Sequence, residues 1–172
     1  NWEDAGLKGN VIDSLLIHEN ILYAGSYRHG IFFSLDAGRH WHSAGVQLEE
    51  DFPNVFAIAT TGKRVFAGTE SGVFQLAEDS QNWDAANSGL SSLQINTVIT
   101  AGDGLFTATL GRSIFRSTNQ GQSWSPANKG LSINVNAQAL QSFNNNLFAA
   151  TFGDGVFRSA NNGDTWTSAS NG

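Results

Sequence analysis

The sequence has no cysteine, no methionine and only 2 prolines, and just 14% of its residues are charged. Each shortage excludes something. Without cysteine there are no disulfides and no thiolate metal sites. Without methionine there is no initiator, so the expectation is a processed form or a piece of a longer chain, its targeting segment gone with the start. No apolar run approaches the roughly 20 residues of a membrane helix, and no secretory apolar region is visible. The scattered charges sum to −6, which argues against a nucleic-acid backbone as partner. There is no phosphate-binding loop, no GxGxxG after a strand and no GxSxG, so no cofactor is expected.

What is present is a repeat. Trp2, Trp41, Trp83, Trp124 and Trp166 stand 39, 42, 41 and 42 residues apart. Between them "LYAG", "VFAG", "LFTA" and "LFAA" recur in step, each followed by "GIFFS", "GVFQL", "SIFRS" or "GVFRS". A Gly-Leu pair follows three of the Trp residues, at Gly6-Leu7, Gly89-Leu90 and Gly130-Leu131. Each unit parses into four short strands: one near 13–17, 55–60, 96–100 and 137–142; a polar hairpin; the LYAG-type strand; the GVFRS-type strand; and a strand beginning at Trp. Short strands bounded by Gly, Asn and Asp clusters indicate an all-β repeat. Four strands per ~42 residues predict the blade of a β-propeller. The repeats run approximately 2–41, 42–83, 84–124 and 125–166, with 167–172 starting a further one.

Between third and fourth strands lies the pattern Ser-x-Asp-x-Gly-x-x-Trp. Ser34, Asp36, Gly38 and Trp41 match in full; Ser117, Asn119, Gly121, Trp124 and Ser159, Asn161, Gly163, Trp166 put Asn at the Asp position; the second copy keeps only Trp83. The Asp or Asn side chain is suited to accept backbone N–H groups of its own turn. This pattern resembles the Asp-box, or bacterial neuraminidase repeat, of sialidases, sorting-receptor ectodomains and photosystem assembly factor-like propellers. The resemblance implies a propeller whose Asp-boxes face away from the functional side, and an extracellular or periplasmic location. It does not by itself imply an activity.

Five Trp strands against four sets of inner strands leave three architectures open: a portion of a larger propeller, a small closed ring, or a ring completed by self-association. Function is expected on the loops between second and third strands and between blades. These supply Tyr27, Arg28, His29, Glu70, Arg112, Phe152 and Asp154, with Glu49, Glu50 and Asp51 in one inter-blade loop. The expectation is a non-catalytic binding or scaffolding module for a protein or carbohydrate partner, with no resident metal. The alternative is a sialidase-like or other glycoside hydrolase. For that, the resemblance requires an arginine triad, a Tyr–Glu pair and an acid/base Asp. Tyr27, Glu70, Asp154, Arg28 and Arg112 are of suitable types, but a third Arg is hard to place. Arg116 and Arg158 are repeat-equivalent, Arg39 lies in a turn, and Arg64 sits on a hairpin of the other face. His40 and His42 flank Trp41 and could pinch a metal, but no third ligand accompanies them.

Overall fold

A computed structural model describes residues 4–44, 54–76, 82–111, 113–132 and 135–170. Its sixteen described strands form four antiparallel sheets, each a meander in chain order. Blade 1 comprises β1 (Ile12–His18), β2 (Ile21–Ser26), β3 (Gly30–Ser34) and β4 (His42–Ser43). Blade 2 comprises β5 (Val55–Thr61), β6 (Arg64–Thr69), β7 (Gly72–Leu76) and β8 (Trp83–Ala85). Blade 3 holds β9 (Ile95–Ala101), β10 (Gly104–Thr109), β11 (Ser113–Ser117) and β12 (Ser125–Pro126). Blade 4 holds β13 (Ala137–Phe143), β14 (Asn146–Thr151), β15 (Val156–Ser159) and β16 (Thr167–Ser168). The protein is an all-β propeller.

Local sequence explains the turns. Glu19–Asn20 and Asn144–Asn145 have positive φ at both positions, the backbone of a two-residue hairpin whose twist matches its strands. In the intact turn after β3, the Ser34 hydroxyl accepts the Gly38 N–H at 2.8 Å and donates to Asp36 Oδ1 at 2.9 Å. That oxygen also accepts the His40 N–H at 2.8 Å. Asn119 and Asn161 repeat the arrangement with Ser123 N–H and Thr165 N–H. One expectation needs correction. The outer strand opens on Trp only in blade 2; in the others it opens one residue later, at His42, Ser125 and Thr167. The indole there belongs to the seam with the preceding blade.

Three buried clusters define three seams. Blades 1 and 2 meet through Tyr23, Ile31, Val55, Ile58, Phe74 and Trp83. Blades 2 and 3 meet through Phe66, Val73, Ile95, Val98, Phe115 and Trp124. Blades 3 and 4 meet through Phe106, Ile114, Leu140, Phe157 and Trp166. Each fully buried large side chain contributes about 1.5–3 kcal/mol, so the seams carry the fold. A polar clasp repeats at each. The indole N–H of Trp83 donates to the Ala44 carbonyl at 3.1 Å, that of Trp124 to Ala86 at 2.7 Å and that of Trp166 to Ala127 at 2.9 Å. Trp41 does the same to Ala5 at 2.7 Å. Every acceptor stands three residues after a Trp, a W-x-x-A signal that recurs at all five Trp residues of the sequence.

Among these turns only the first has an acid at the Asp position bonded to a His. Hydrogen bonds from the His40 ring and backbone, then from Ser34, hold the Asp36 carboxyl well below the usual carboxylate range. A depressed folded-state pKa stabilises above the ordinary carboxylate pKa of about 3.9 and is lost as pH falls through the lowered value. Asp36→Asn, which copies Asn119 and Asn161, is expected to leave the melting temperature at neutral pH little changed. It should flatten the acid-side fall below about pH 4, read by thermal melts of both proteins across that range.

Candidate functional site

The meander puts the β2–β3, β6–β7, β10–β11 and β14–β15 loops on the face opposite the Asp-box-like turns. Each loop is built the same way. The last residue of the second strand has a hydroxyl that donates to a carbonyl at, or in blade 4 one residue before, the start of the third: Ser26 to Gly30 at 3.1 Å, Thr69 to Gly72 at 2.9 Å, Thr109 to Ser113 at 3.4 Å and Thr151 to Gly155 at 2.8 Å. These hydroxyls close the loop bases. The next residue is Tyr27, Glu70, Leu110 or Phe152. The N–H groups of Tyr27, Leu110 and Phe152 donate to the carbonyls of Val11, Gln94 and Asn136, just before the first strand, at 2.8–2.9 Å. The backbone is thereby fixed while the side chain is left in solvent: Tyr27 is 41% exposed, Leu110 45% and Phe152 79%.

The corner between blades 1 and 2 is polar and tied. Asn54 is buried. Its Oδ1 accepts the Arg28 N–H at 2.9 Å, and its Nδ2 donates to Glu70 Oε2. Glu70 also accepts the Asn54 N–H, at 3.4 Å. The Arg28 guanidinium lies 5.3 Å from the Tyr27 ring centroid, a distance at which a cation is attracted to the ring face. The His29 ring nitrogen Nδ1 is 3.1 Å from the Tyr27 carbonyl. Tyr27, Arg28, His29, Asn54 and Glu70 thus form one connected group. Asp154 is exposed in the blade 4 loop, two residues from Phe152. Glu49, Glu50, Asp51 and Arg112 lie outside the described residues.

The structure adds residues that sequence reasoning passed over. Leu110 occupies the same loop position as Tyr27 and Phe152, and aligning the four Ser/Thr loop bases would have found it. Asn54 is the clamp between two loops; its partners are 16 and 26 residues away, so no local signal reveals it. Three of the arginines outside the loop face are engaged. Arg116 bonds Asp164 at 3.2 Å and Arg158 bonds Asn146 at 3.0 Å. Arg64 reaches Gln75 at 3.3 Å. The two histidines flanking Trp41 part company: His40 bonds Asp36, while the His42 ring packs 5.3 Å from that of Phe33. Among the described residues no three His, Asp or Glu converge as metal ligands. An open cleft of about 690 Å³ lies on the other face, between the hairpins of blades 3 and 4 and the turn at Ala160–Asn162.

The profile of the family described as the DUF6242 beta propeller domain matches residues 54–171. The chain belongs to this family. Several solved structures share the fold of this DUF6242 domain. The extracellular domain of BT4673 from B. thetaiotaomicron superposes with a TM-score of 0.75 at 15% identity, over 96% of this chain and 23% of that one. An ancestral GH74 enzyme gives 0.74 at 19%, over 92% and 24%. YCF48 from Cyanidioschyzon merolae gives 0.72 at 12%, over 96% and 58%. YCF48 bound to D1 peptide gives 0.65 at 16%, over 97% and 56%. The DUF6242 domain therefore spans less than two thirds of each of these chains, and at such identities the likeness shows the fold. No curated protein sequence matches it. No helix among its described residues is long and apolar enough to cross a membrane.

Proposed function

We propose that this chain is a non-catalytic, extracellular binding module that holds an apolar segment of a partner protein against the loop face of its blades. One observation carries the reading. Tyr27, Leu110 and Phe152 occupy one repeated position on one face, each anchored by the same backbone bond and each exposed. Single exposed apolar residues are ordinary; a rigidly spaced set on one side is not, and binding energy concentrates on such anchors. Similarity to extracellular domains and to a propeller solved with a bound peptide supports the same choice. The hydrolase alternative has weaker support, because Glu70, the carboxylate it would draw on, is committed to Asn54.

The test uses short peptides selected from a random display library on the wild-type protein. Replacing Tyr27, Leu110 and Phe152 together by Ser is expected to weaken the selected peptides by about tenfold or more. The melting temperature should hardly move, since exposed positions tolerate substitution within about 0.5 kcal/mol. Peptides that bind the triple variant as well as the wild type overturn the proposal. So does glycosidase turnover on a substrate panel that Glu70→Gln or Asp154→Asn abolishes.

A further inference from the structure

The cleft on the face of the Asp-box-like turns holds carboxamides of two kinds. Asn146 and Asn161 are spent on the fold. Asn146 Nδ2 donates to the Asn144 carbonyl at 2.7 Å, and its Oδ1 accepts the Arg158 Nε–H at 3.0 Å. Asn161 Nδ2 donates to the Thr165 hydroxyl at 2.8 Å, and its Oδ1 accepts the Thr165 N–H at 3.0 Å. Asn144, Asn145 and Asn162 line the same cleft and are exposed. Among the described residues their side chains have no hydrogen-bond partner. Each carboxamide carries two N–H donors beside an acceptor oxygen, and all three stand on left-handed backbone, with φ of 47°, 59° and 54°.

Turn geometry does not select these amides. The other first hairpins have Glu19–Asn20, Gly62–Lys63 and Gly102–Asp103 where blade 4 has Asn144–Asn145. At the place of Asn162 the other described turns have Ala37 and Gln120, also at positive φ. The cleft is also a gap in a seam. Between blades 2 and 3 the Thr100 hydroxyl ties the sheets by donating to the Thr60 carbonyl. Its counterpart Ser142 pairs with Leu147 as Thr100 pairs with Leu105. Ser142 is exposed, and among the described residues its hydroxyl has no partner. The opposite wall is Gly102, where a Cβ would stand 3.7 Å from Asn162 Oδ1. That oxygen therefore faces open space where another blade's hairpin would place a side chain.

We propose that this cleft is a ligand site for an uncharged saccharide, one pyranose unit with free neighbouring hydroxyls. No Asp, Glu, Lys or Arg lines it, and a charge taken out of water without a counter-charge is costly, so the ligand is neutral. Adjacent hydroxyls that each donate and accept match side-by-side carboxamide N–H and C=O groups. Asn144, Asn145, Asn162 and Ser142 supply these, while Ala101 and Leu147 face the C–H groups of the ring. The volume of about 690 Å³ falls within the roughly 300–1,000 Å³ of small-molecule sites. The site lies on the face opposite Tyr27, Leu110 and Phe152 and is independent of the loop-face reading.

The probes are the methyl glycosides of glucose, galactose, mannose and N-acetylglucosamine, titrated into isotope-labelled protein and followed by the side-chain amide signals in NMR. At least one is expected to shift the signals of Asn144, Asn145 and Asn162, with a Kd of about 1–10 mM, as suits an open cleft. Asn145→Gly combined with Asn162→Gly removes two carboxamides and keeps residues at home at positive φ. This variant should bind about tenfold more weakly or worse, with its melting temperature unchanged. Gly102→Asn keeps a turn-compatible residue and only adds a side chain to the opposite wall; it should lose the glycoside too. The variant with Ser at Tyr27, Leu110 and Phe152 should bind as the wild type does, and methyl glucuronide should shift nothing. The proposal is overturned if none of the four glycosides moves those signals at about 50 mM. It is overturned equally if the double Gly variant binds as well as the wild type, if the triple Ser variant loses the glycoside instead, or if the glucuronide binds as tightly as its neutral counterparts.

Discussion

Replacing Phe106 by alanine is expected to cost about 3–5 kcal/mol of unfolding free energy, a large part of the roughly 5–15 kcal/mol that holds an ordinary domain together. The ring is fully buried in the seam between blades 3 and 4. It fills the space left by the missing side chain of Gly163, whose positive φ of 81° keeps the turn in place. That turn is held from within: the Ser159 hydroxyl accepts the Gly163 N–H at 2.9 Å, and Asn161 accepts the Thr165 N–H at 3.0 Å. It cannot collapse into the hole, so the cavity stays and its cost adds to the lost transfer energy. The Arg116 guanidinium, 5.7 Å from the ring centroid, loses its aromatic face as well. Urea unfolding followed by tryptophan fluorescence reads the loss, since Trp124 and Trp166 are both buried. Phe148→Ala is the matched control. It removes the same side chain from the same strand position, but on the open face, and should cost less than half as much. Equal losses would mean that something covers the blade 4 face in solution.

The propeller was legible because the sequence states it four times. Trp spacing set the frame, and the strands fall within about a residue or two of where apolar alternation and Gly/Asn clusters put them. Asn119 and Asn161 could be read as turn acceptors because their chemistry is local. The Trp role was legible only in part. The indole looked like the start of an outer strand, whereas its N–H reaches back to the carbonyl of Ala44, Ala86 or Ala127, some 40 residues earlier. The signal for that was present in W-x-x-A, but a backbone acceptor leaves no preference for its residue type, and the alanine reads as filler. Loop chemistry was harder still. Glu70 stood among the loop candidates with no partner to be read, because Asn54, which engages it, lies 16 residues away at the edge of the neighbouring strand. Leu110 was passed over because one leucine in a loop carries no chemistry until the fold shows Tyr27 and Phe152 at the same place.

Gly68→Ala should destabilise the wild type by about 1–3 kcal/mol and stabilise an Ile95→Ala background. Gly68 has ordinary strand geometry, so the first effect is purely one of packing: the new methyl would stand 2.7 Å from Ile95 Cγ2 and 3.4 Å from Val98 Cγ1, and an overpacked core resists in that range. Ile95 is 1% exposed, so Ile95→Ala alone should cost about 2–5 kcal/mol through the cavity it opens. In that cavity the methyl added at position 68 finds room and restores contacts, while alanine also suits a strand better than glycine. The sign of the Gly68→Ala effect therefore reverses, with a coupling between the two sites of about 0.5–3 kcal/mol, the range measured for residues in contact. The double variant rebuilds at the second seam the alanine pair that Ala108 and Ala137 form at the third. A loss of the same size from Gly68→Ala in both backgrounds would show that each position tolerates its residue independently. With the reversal, the small residue on the second strand and the residue opening the next blade act as one packing pair at the seam.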